Sequence, residues 1–322
     1  MLKIKMYSDV DLDGYASYIV LKYISDKMEK IINQPISIDV QFVKVTSLDE
    51  KIREDRDSLF DYDYIYITDL YPKEKDTIEF LDMLWYKGNK IVLYDHHTRE
   101  KDIYINPEWA TIETEKRGKK ICGASLIFEH IINYINVDTK EYCALKQFVE
   151  LVRLYDTWDW AKENNVRPRD LNRLLYFYGH TKFIEVILKS LNDSPSEFKL
   201  SAIDEAIIES LEQNVKQNID RKIKSMCIGK DPQGYTVGYC FSEDNVSELG
   251  NEICKQNPSI DYAIIFNPST SNFSLRSNKI DVRHVARFYG GDGHMYASGI
   301  KHYLSPKQML NDILSEIGLR IE

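Results

Sequence analysis

Along the first hundred residues the apolar positions switch between two periods. The short runs LKIKMY, ISIDVQFVKV, YDYIYIT and KIVLYD predict strands. The stretches from about Tyr15 to Ile32 and from about Lys73 to Tyr86 carry the three-to-four spacing of helices. Strands that alternate with helices at this interval favour right-handed crossovers and a parallel sheet with helices on both faces, so the expected fold class is α/β.

After Gly123 the spacing turns helical, in ASLIFEHIINYI, CALKQFVELVRLY and LNRLLYFYG. Ser194, Pro195 and Ser196 break the pattern and supply an N-cap signal, and the charged stretch from Glu197 to about Met226 predicts a long connecting helix. Strand patterns return in GYTVGYC, DYAIIFN and NFSLRS, with the helical SELGNEICKQ and DVRHVARFY among them, before the glycine-rich GGDGHMYASG. The expected organisation is therefore an N-terminal domain over 1–194, a helical connector over 195–226 and a smaller C-terminal α/β domain over 227–322.

Composition narrows the classes. At 322 residues the chain exceeds what one compact core usually organises, and 51 acids against 42 bases give a net charge of −9. That balance argues against a partner such as a long nucleic-acid duplex, whose binding rests on neutralised phosphates, but admits a short anionic ligand at a local basic patch. The five cysteines include no CxxC pair and predict reduced thiols rather than a disulfide framework or thiolate zinc. No leader pattern precedes the first strand and no window holds 18 uninterrupted apolar residues, so a cytoplasmic protein without a membrane span is expected.

Three predicted strands deliver acids at their C-terminal ends: Asp9, Asp11 and Asp13 after the first, Asp69 after YIYIT, and Asp95 with His96 and His97 after IVLY. In an open parallel sheet those ends share one edge, where ligands bind. Carboxylates packed together repel unless a cation neutralises them. DVDLDG also opens an EF-hand loop, but the twelfth residue from Asp9 is Val20 rather than Glu, and a strand precedes it. Carboxylate oxygens mixed with imidazole nitrogens, and no thiolate, suit Mn²⁺ or Mg²⁺ better than a structural zinc, with ligands enough for two ions and Asp69 as the bridging carboxylate. The lone His130, His180, His284 and His302 read as structural or exposed, and EKRGKK at 115–120 as a solvated loop.

The ordered set SDVDLDG, ITDLYP, YDHHT, LYDTWDW and GGDGHMYASG resembles the DHH phosphoesterase family with its C-terminal DHH-associated domain, over nearly the whole chain. It is most similar to the NrnB-type oligoribonucleases, with the first motif in the DxDxDG form of RecJ-type members. The resemblance implies a metal-dependent phosphodiesterase that cuts short oligoribonucleotides to mononucleotides. Within the same family the alternatives are cyclic dinucleotides, their linear products, 3′-phosphoadenosine 5′-phosphate or single-stranded DNA as substrate; a nucleotide sensor is the non-enzyme alternative. It implies Asp9 and Asp11 as ligands of one cation, Asp13, His96 and Asp156 as ligands of the other, and Asp69 as shared. Asp159, the other acid of YDTWDW, is the competitor to Asp156. His97 is implied at the substrate phosphate and Asp95 as the group orienting the imidazoles. Arg276, Gly290, Gly291, Gly293 and His294 match the substrate-binding elements, although Asp292 interrupts the usual GGGH. The implied partners are a short RNA or small nucleotide, no membrane and no long duplex, with a homodimer admitted.

Overall fold

The computed structural model describes residues 1–97, 107–135, 142–301 and 308. It divides into two compact units, Met1–Ile208 and Glu209–Glu322. The first unit runs β1 (Leu2–Ser8), α1 (Leu12–Ile32), β2 (Ile36–Phe42), α2 (Leu48–Glu54), β3 (Tyr64–Thr68), α3 (Lys75–Tyr86), β4 (Lys90–Asp95) and β5 (Ala110–Ile112). There follow a small hairpin, β6 (Glu115–Lys116) and β7 (Lys119–Lys120), and then the helices α4 (Gly123–Ile135), α5 (Cys143–Asp156), α6 (Asp159–Lys162) and α7 (Arg167–Asp193).

All neighbours in the first sheet are parallel, in the order β2-β1-β3-β4-β5. The two-residue alternation of the strands divides their side chains between two cores. Ile4, Met6, Tyr66 and Tyr94 pack with α1, α4, α5 and α7, whereas Tyr7, Ile65, Ile67, Ile91 and Leu93 pack with α2 and α3. Lys5 is buried among the apolar strands because Asp39 at 2.8 Å and Asp55 at 3.1 Å neutralise it. The chain leaves β1 toward β2 on one side and leaves β3 toward β4 on the other, with α1 and α3 on opposite faces. Right-handed crossovers in opposite directions open a crevice between the ends of β1 and β3.

The second unit holds most of α8 (Ala202–Lys224), then β8 (Cys227–Lys230), β9 (Thr236–Phe241), α9 (Val246–Gln256), β10 (Tyr262–Asn267), β11 (Asn272–Arg276), α10 (Val282–Phe288), β12 (Asp292–His294) and β13 (Ala297–Lys301). Its mixed sheet runs β12-β13-β11-β10-β9-β8, with β9 and β10 the parallel pair. α8 and α9 cover one face and α10 part of the other.

Three expectations differ in detail. The charged helix begins at Ala202 rather than near Glu197, because Ser201 hydrogen-bonds Asp204 in a reciprocal cap that fixes its start. EKRGKK is solvated, as expected, but forms a hairpin: Arg117 and Gly118 both take positive φ, the requirement of a tight two-residue turn. The glycine-rich GGDGHMYASG forms β12 and β13, where a Cβ on Gly291 would sit 2.1 Å from the Gly299 carbonyl oxygen. Glycine there serves close strand approach.

Candidate metal centre

The acidic segment leaves β1 and enters α1 at once. Asp11 is the N-cap of α1, its Oδ1 accepting from Gly14 N–H at 2.9 Å, and Asp9 Oδ1 accepts from Val10 N–H at 2.6 Å. Gly14 is required by space, since a Cβ would lie 2.1 Å from the Asp9 carbonyl oxygen. Ser8 Oγ bonds the Gly14 carbonyl at 2.8 Å and Thr68 Oγ1 at 2.7 Å, tying this turn to the end of β3. This strand-turn-helix geometry is unlike the helix-loop-helix of an EF-hand.

Asp13 sits fully inside. Both its oxygens are held by the first turn of α4, Oδ2 by Gly123 N–H at 2.6 Å and Oδ1 by Ala124 N–H at 2.8 Å. The positive end of that helix thus stabilises the carboxylate and fixes its plane. Gly123 allows the approach, for a Cβ would meet Asp13 Oδ2 and Asp69 Cβ at 3.1 Å.

Asp69 follows β3 in the left-handed region, φ +60°, a conformation that costs a non-glycine residue on the order of 1–3 kcal/mol and persists only where its surroundings enforce it. His96 follows β4, and its Nε2 lies 3.2 Å from Asp69 Oδ1, 3.3 Å from Asp156 Oδ2 and 3.7 Å from Asp13 Oδ2. Asp156 comes from the last turn of α5. Asp159, its competitor in the sequence, is engaged instead by Arg153 and Lys162.

Two groups of three potential ligands result among the described residues: Asp13, His96 and Asp156, and Asp69, His96 and His97. Asp9 and Asp11 belong to neither. Within this cluster Asp69 Oδ1, His96 Nε2 and Asp156 Oδ2 are buried with no hydrogen-bond partner. Unpartnered lone pairs converging in a protein interior are expensive. Hard oxygens with one or two imidazoles, and no thiolate, are the donor set of a divalent cation such as Mn²⁺ or Mg²⁺, so the residues fit one.

The protonation energetics agree. Burial, reinforced by Asp13, Asp11 and Asp156, lifts Asp69 well above the usual carboxylate range. Burial with Asp13 and Asp11 pushes Asp156 up to about 8. Asp13 and Asp9 are raised by burial as well, Asp13 being held back by His96. His96 is lowered by burial and so presents a neutral nitrogen, whereas His97 is raised by its bond from Nδ1 to Asp95 Oδ1 at 2.8 Å. Asp95 therefore anchors His97 through Nδ1 and leaves His97 Nε2 facing away from its anchor.

Sequence reasoning missed the supports. Arg153, buried in α5, donates to Glu150, to Asp159 at 3.1 Å and to the Lys120 carbonyl at 3.1 Å, joining the helix of Asp156 to the segment that leads into the Gly123 turn. Its place one turn before an acidic motif was the available signal. Buried Cys122 lies beside Asp13 and is raised by burial. His180, exposed, stacks on Tyr15, and half-buried His130 lies against Tyr94. His284 is exposed near Asp281, and His302 lies outside the described residues.

In the second unit Arg276 crosses Gly250 of α9, where a Cβ would meet Arg276 Cγ at 2.5 Å, and donates to Ser247 Oγ at 2.8 Å. The N–H groups of Gly290 and Gly291 donate to the carbonyls of Arg287 and Ala286, so these two are spent within the fold. Asp292 pairs with Arg287 at 3.1 Å, which offsets its charge, and His294 is exposed. No helix among the described residues is long and apolar enough to cross a membrane.

No protein-family model matches the chain. Among curated proteins it is 30% identical over 301 residues to the oligoribonuclease NrnB of Bacillus subtilis (strain 168), spanning 91% of this chain and 71% of that protein. It is 23% identical over 340 aligned positions to a 3′,5′-cyclic-nucleotide phosphodiesterase of Helicobacter pylori (strain ATCC 700392 / 26695), spanning 94% and 93%. Among solved structures it matches the DHH domain of a protein assigned to a family of ribosomal proteins with a TM-score of 0.57 at 16% identity, covering 99% of this chain and 88% of that one, a likeness of fold.

Proposed function

The chain belongs to the DHH phosphoesterase family and is a phosphodiesterase; from that premise we propose that it hydrolyses short oligoribonucleotides to mononucleotides with two divalent cations, Mn²⁺ ahead of Mg²⁺. The observation that carries this reading is the convergence of three buried, unpartnered ligand atoms, Asp69 Oδ1, His96 Nε2 and Asp156 Oδ2, at the ends of three separate elements. The substrate class is supported by the likeness to an oligoribonuclease.

In this proposal Asp13, His96 and Asp156 would hold one cation and Asp9 and Asp11 the other, with Asp69 shared between the two sets. Bound there, divalent cations supply Lewis acidity at phosphorus and lower the pKa of water. The chain's own part is to fix orientation and protons. The first turn of α4 holds Asp13 in one plane, and burial keeps His96 neutral so that its lone pair is free for a ligand. Asp95 holds a proton on His97 Nδ1 and raises the ring, so that Nε2 can deliver a second proton to the leaving oxygen. Arg276 pairs with a substrate phosphate oxygen, with His294 beside it in the role. Gly291 and Gly293 shape that turn.

The experiment is incubation with Mn²⁺ or Mg²⁺ and RNA dimers to 20-mers, single-stranded DNA, cyclic dinucleotides and 3′-phosphoadenosine 5′-phosphate. Dimers to pentamers are expected to be consumed fastest. Asp69→Ala and His96→Ala are each expected to abolish cleavage with the fold intact by circular dichroism, and full activity in either removes the two-cation model. A second reading, a cyclic nucleotide as substrate, has the Helicobacter pylori relative in its favour. Preference for a 3′,5′-cyclic mononucleotide in the same assay would select it.

A further inference from the structure

The acids have an aromatic neighbour in the core. Tyr15 follows Gly14 directly and is buried, with its hydroxyl raised by burial and by nearby Asp11, Asp9 and Tyr176. The His180 ring lies parallel to it, 5.5 Å between centroids and 10° between planes, and Phe42, the last residue of β2, stands edge-on at 4.6 Å from Tyr15 and at 6.1 Å from His180.

α7 is broken immediately before His180, at Gly179, whose φ of +70° and ψ of 164° interrupt the helix. One turn earlier Tyr176 is 82% exposed and Phe177 52% exposed. Tyr176 in particular leaves most of its ring in water and gains little from the core. Tyr176 and His180 flank that break and both lie at Tyr15, Tyr176 near its hydroxyl and His180 stacked on its ring, two positions after Asp13. The shelf is thus continuous with the acidic turn.

We propose that Tyr176 and His180 form a stacking shelf for the nucleobase next to the phosphodiester held at the acid cluster. This rests on the reading that the substrate is a nucleotide. Stacking suits the need, since every base has a π-face and a ring tolerates all of them while excluding phosphoesters that carry no base. The discrimination is for a nucleoside over a bare phosphoester, not for one sequence over another.

Two measurements decide it. The first titrates 2-aminopurine ribonucleoside 5′-monophosphate with the full chain in Mg²⁺ and follows fluorescence quenching, which reports stacking without turnover. Wild type is expected to quench, Tyr176→Ala and His180→Ala to lose most of it, and Tyr176→Phe to restore it. The second takes the ratio of kcat/KM for an RNA dinucleotide to that for the corresponding abasic ribose dinucleotide, a diester with no base and no aromatic ring. That ratio is expected to fall about tenfold to a hundredfold in the alanine variants.

Absent quenching in wild type, or quenching kept in both alanine variants, overturns the shelf. An equal loss on both diesters also overturns it, because the residues would then act by supporting the acids. A chain that cleaves neither diester refutes the nucleotide-hydrolase reading, and quenching still decides the shelf.

Discussion

His96 and His97 are adjacent in sequence yet are driven to opposite protonation states. Burial strips His96 of the solvent that would stabilise its charge, whereas Asp95, itself buried, gives His97 a carboxylate partner at 2.8 Å. The two rings lie side by side, 4.5 Å between centroids, and what separates them is the Asp95 bond to His97 Nδ1, which in the proposed mechanism leaves His97 to exchange a proton while His96 joins the cation ligands. Replacing Asp95 with Asn keeps the hydrogen-bond geometry but withdraws the charge that raises His97. The expected result is a fall in kcat of about 10- to 100-fold, with the basic limb of the pH profile shifted to lower pH. His97→Ala removes the proton donor and is expected to cost about 10²- to 10⁴-fold in kcat, while Mn²⁺ titration by calorimetry still finds binding at the remaining ligands. A loss of Mn²⁺ binding as deep as that of His96→Ala would place His97 among the ligands instead.

At the scale of elements, the precision of the cluster comes from short connections with no slack. The turn from β1 to α1 holds three acids in five residues, and Gly14 is the residue that lets it close against the Asp9 carbonyl. Gly14→Ala must open that turn, so it is expected to cost about 1–3 kcal/mol of stability by denaturant melting and to weaken Mn²⁺ binding with it. Intact metal binding in a destabilised variant would separate the turn from the ligands. The acids at strand ends were legible because an apolar run closing on Asp is visible in a sequence, as in YIYITD and IVLYD. The cradle of Asp13 was not, since Gly123 and Ala124 contribute backbone N–H groups, which every residue but proline carries. Nor were β5 and β8 read as strands: three residues in one case, and CIGK largely exposed in the other, give alternation nothing to show. The role of Arg153 depends on a carbonyl 33 residues away, which no local spacing reveals.

At the scale of the whole molecule, the carboxylates raised by burial among the described residues lie together at the acid cluster, and pH should expose the cost of that arrangement. Asp69, Asp13 and Asp156 all have folded pKa values above those of an unfolded chain, Asp156 up to about 8, so without cations the folded state binds the extra protons. The stability they contribute is fully present below about pH 4 and is lost as pH rises through the folded values. His97, also raised, acts in the same direction, and His96, lowered by burial, opposes it. Carboxylates held down by ion pairs elsewhere, such as Asp39, Glu150, Glu205 and Asp281 at about 2, lose their contribution only on acidification below the ordinary carboxylate range. Between about pH 5 and about pH 8.5 the raised acids therefore set the slope, with the burial-lowered His130 joining His96 in opposing it. Chelated protein should therefore melt lower at about pH 8.5 than at about pH 5, and saturating Mn²⁺ should raise the melting temperature by an increment that grows with pH. Protons and cations compete for the same oxygens, so the two effects share one origin. Differential scanning calorimetry at both pH values, with chelator and with Mn²⁺, measures it. An Mn²⁺ increment that is flat across the window would mean that the cation displaces no proton from these acids, and would move its binding site away from Asp69 and Asp156.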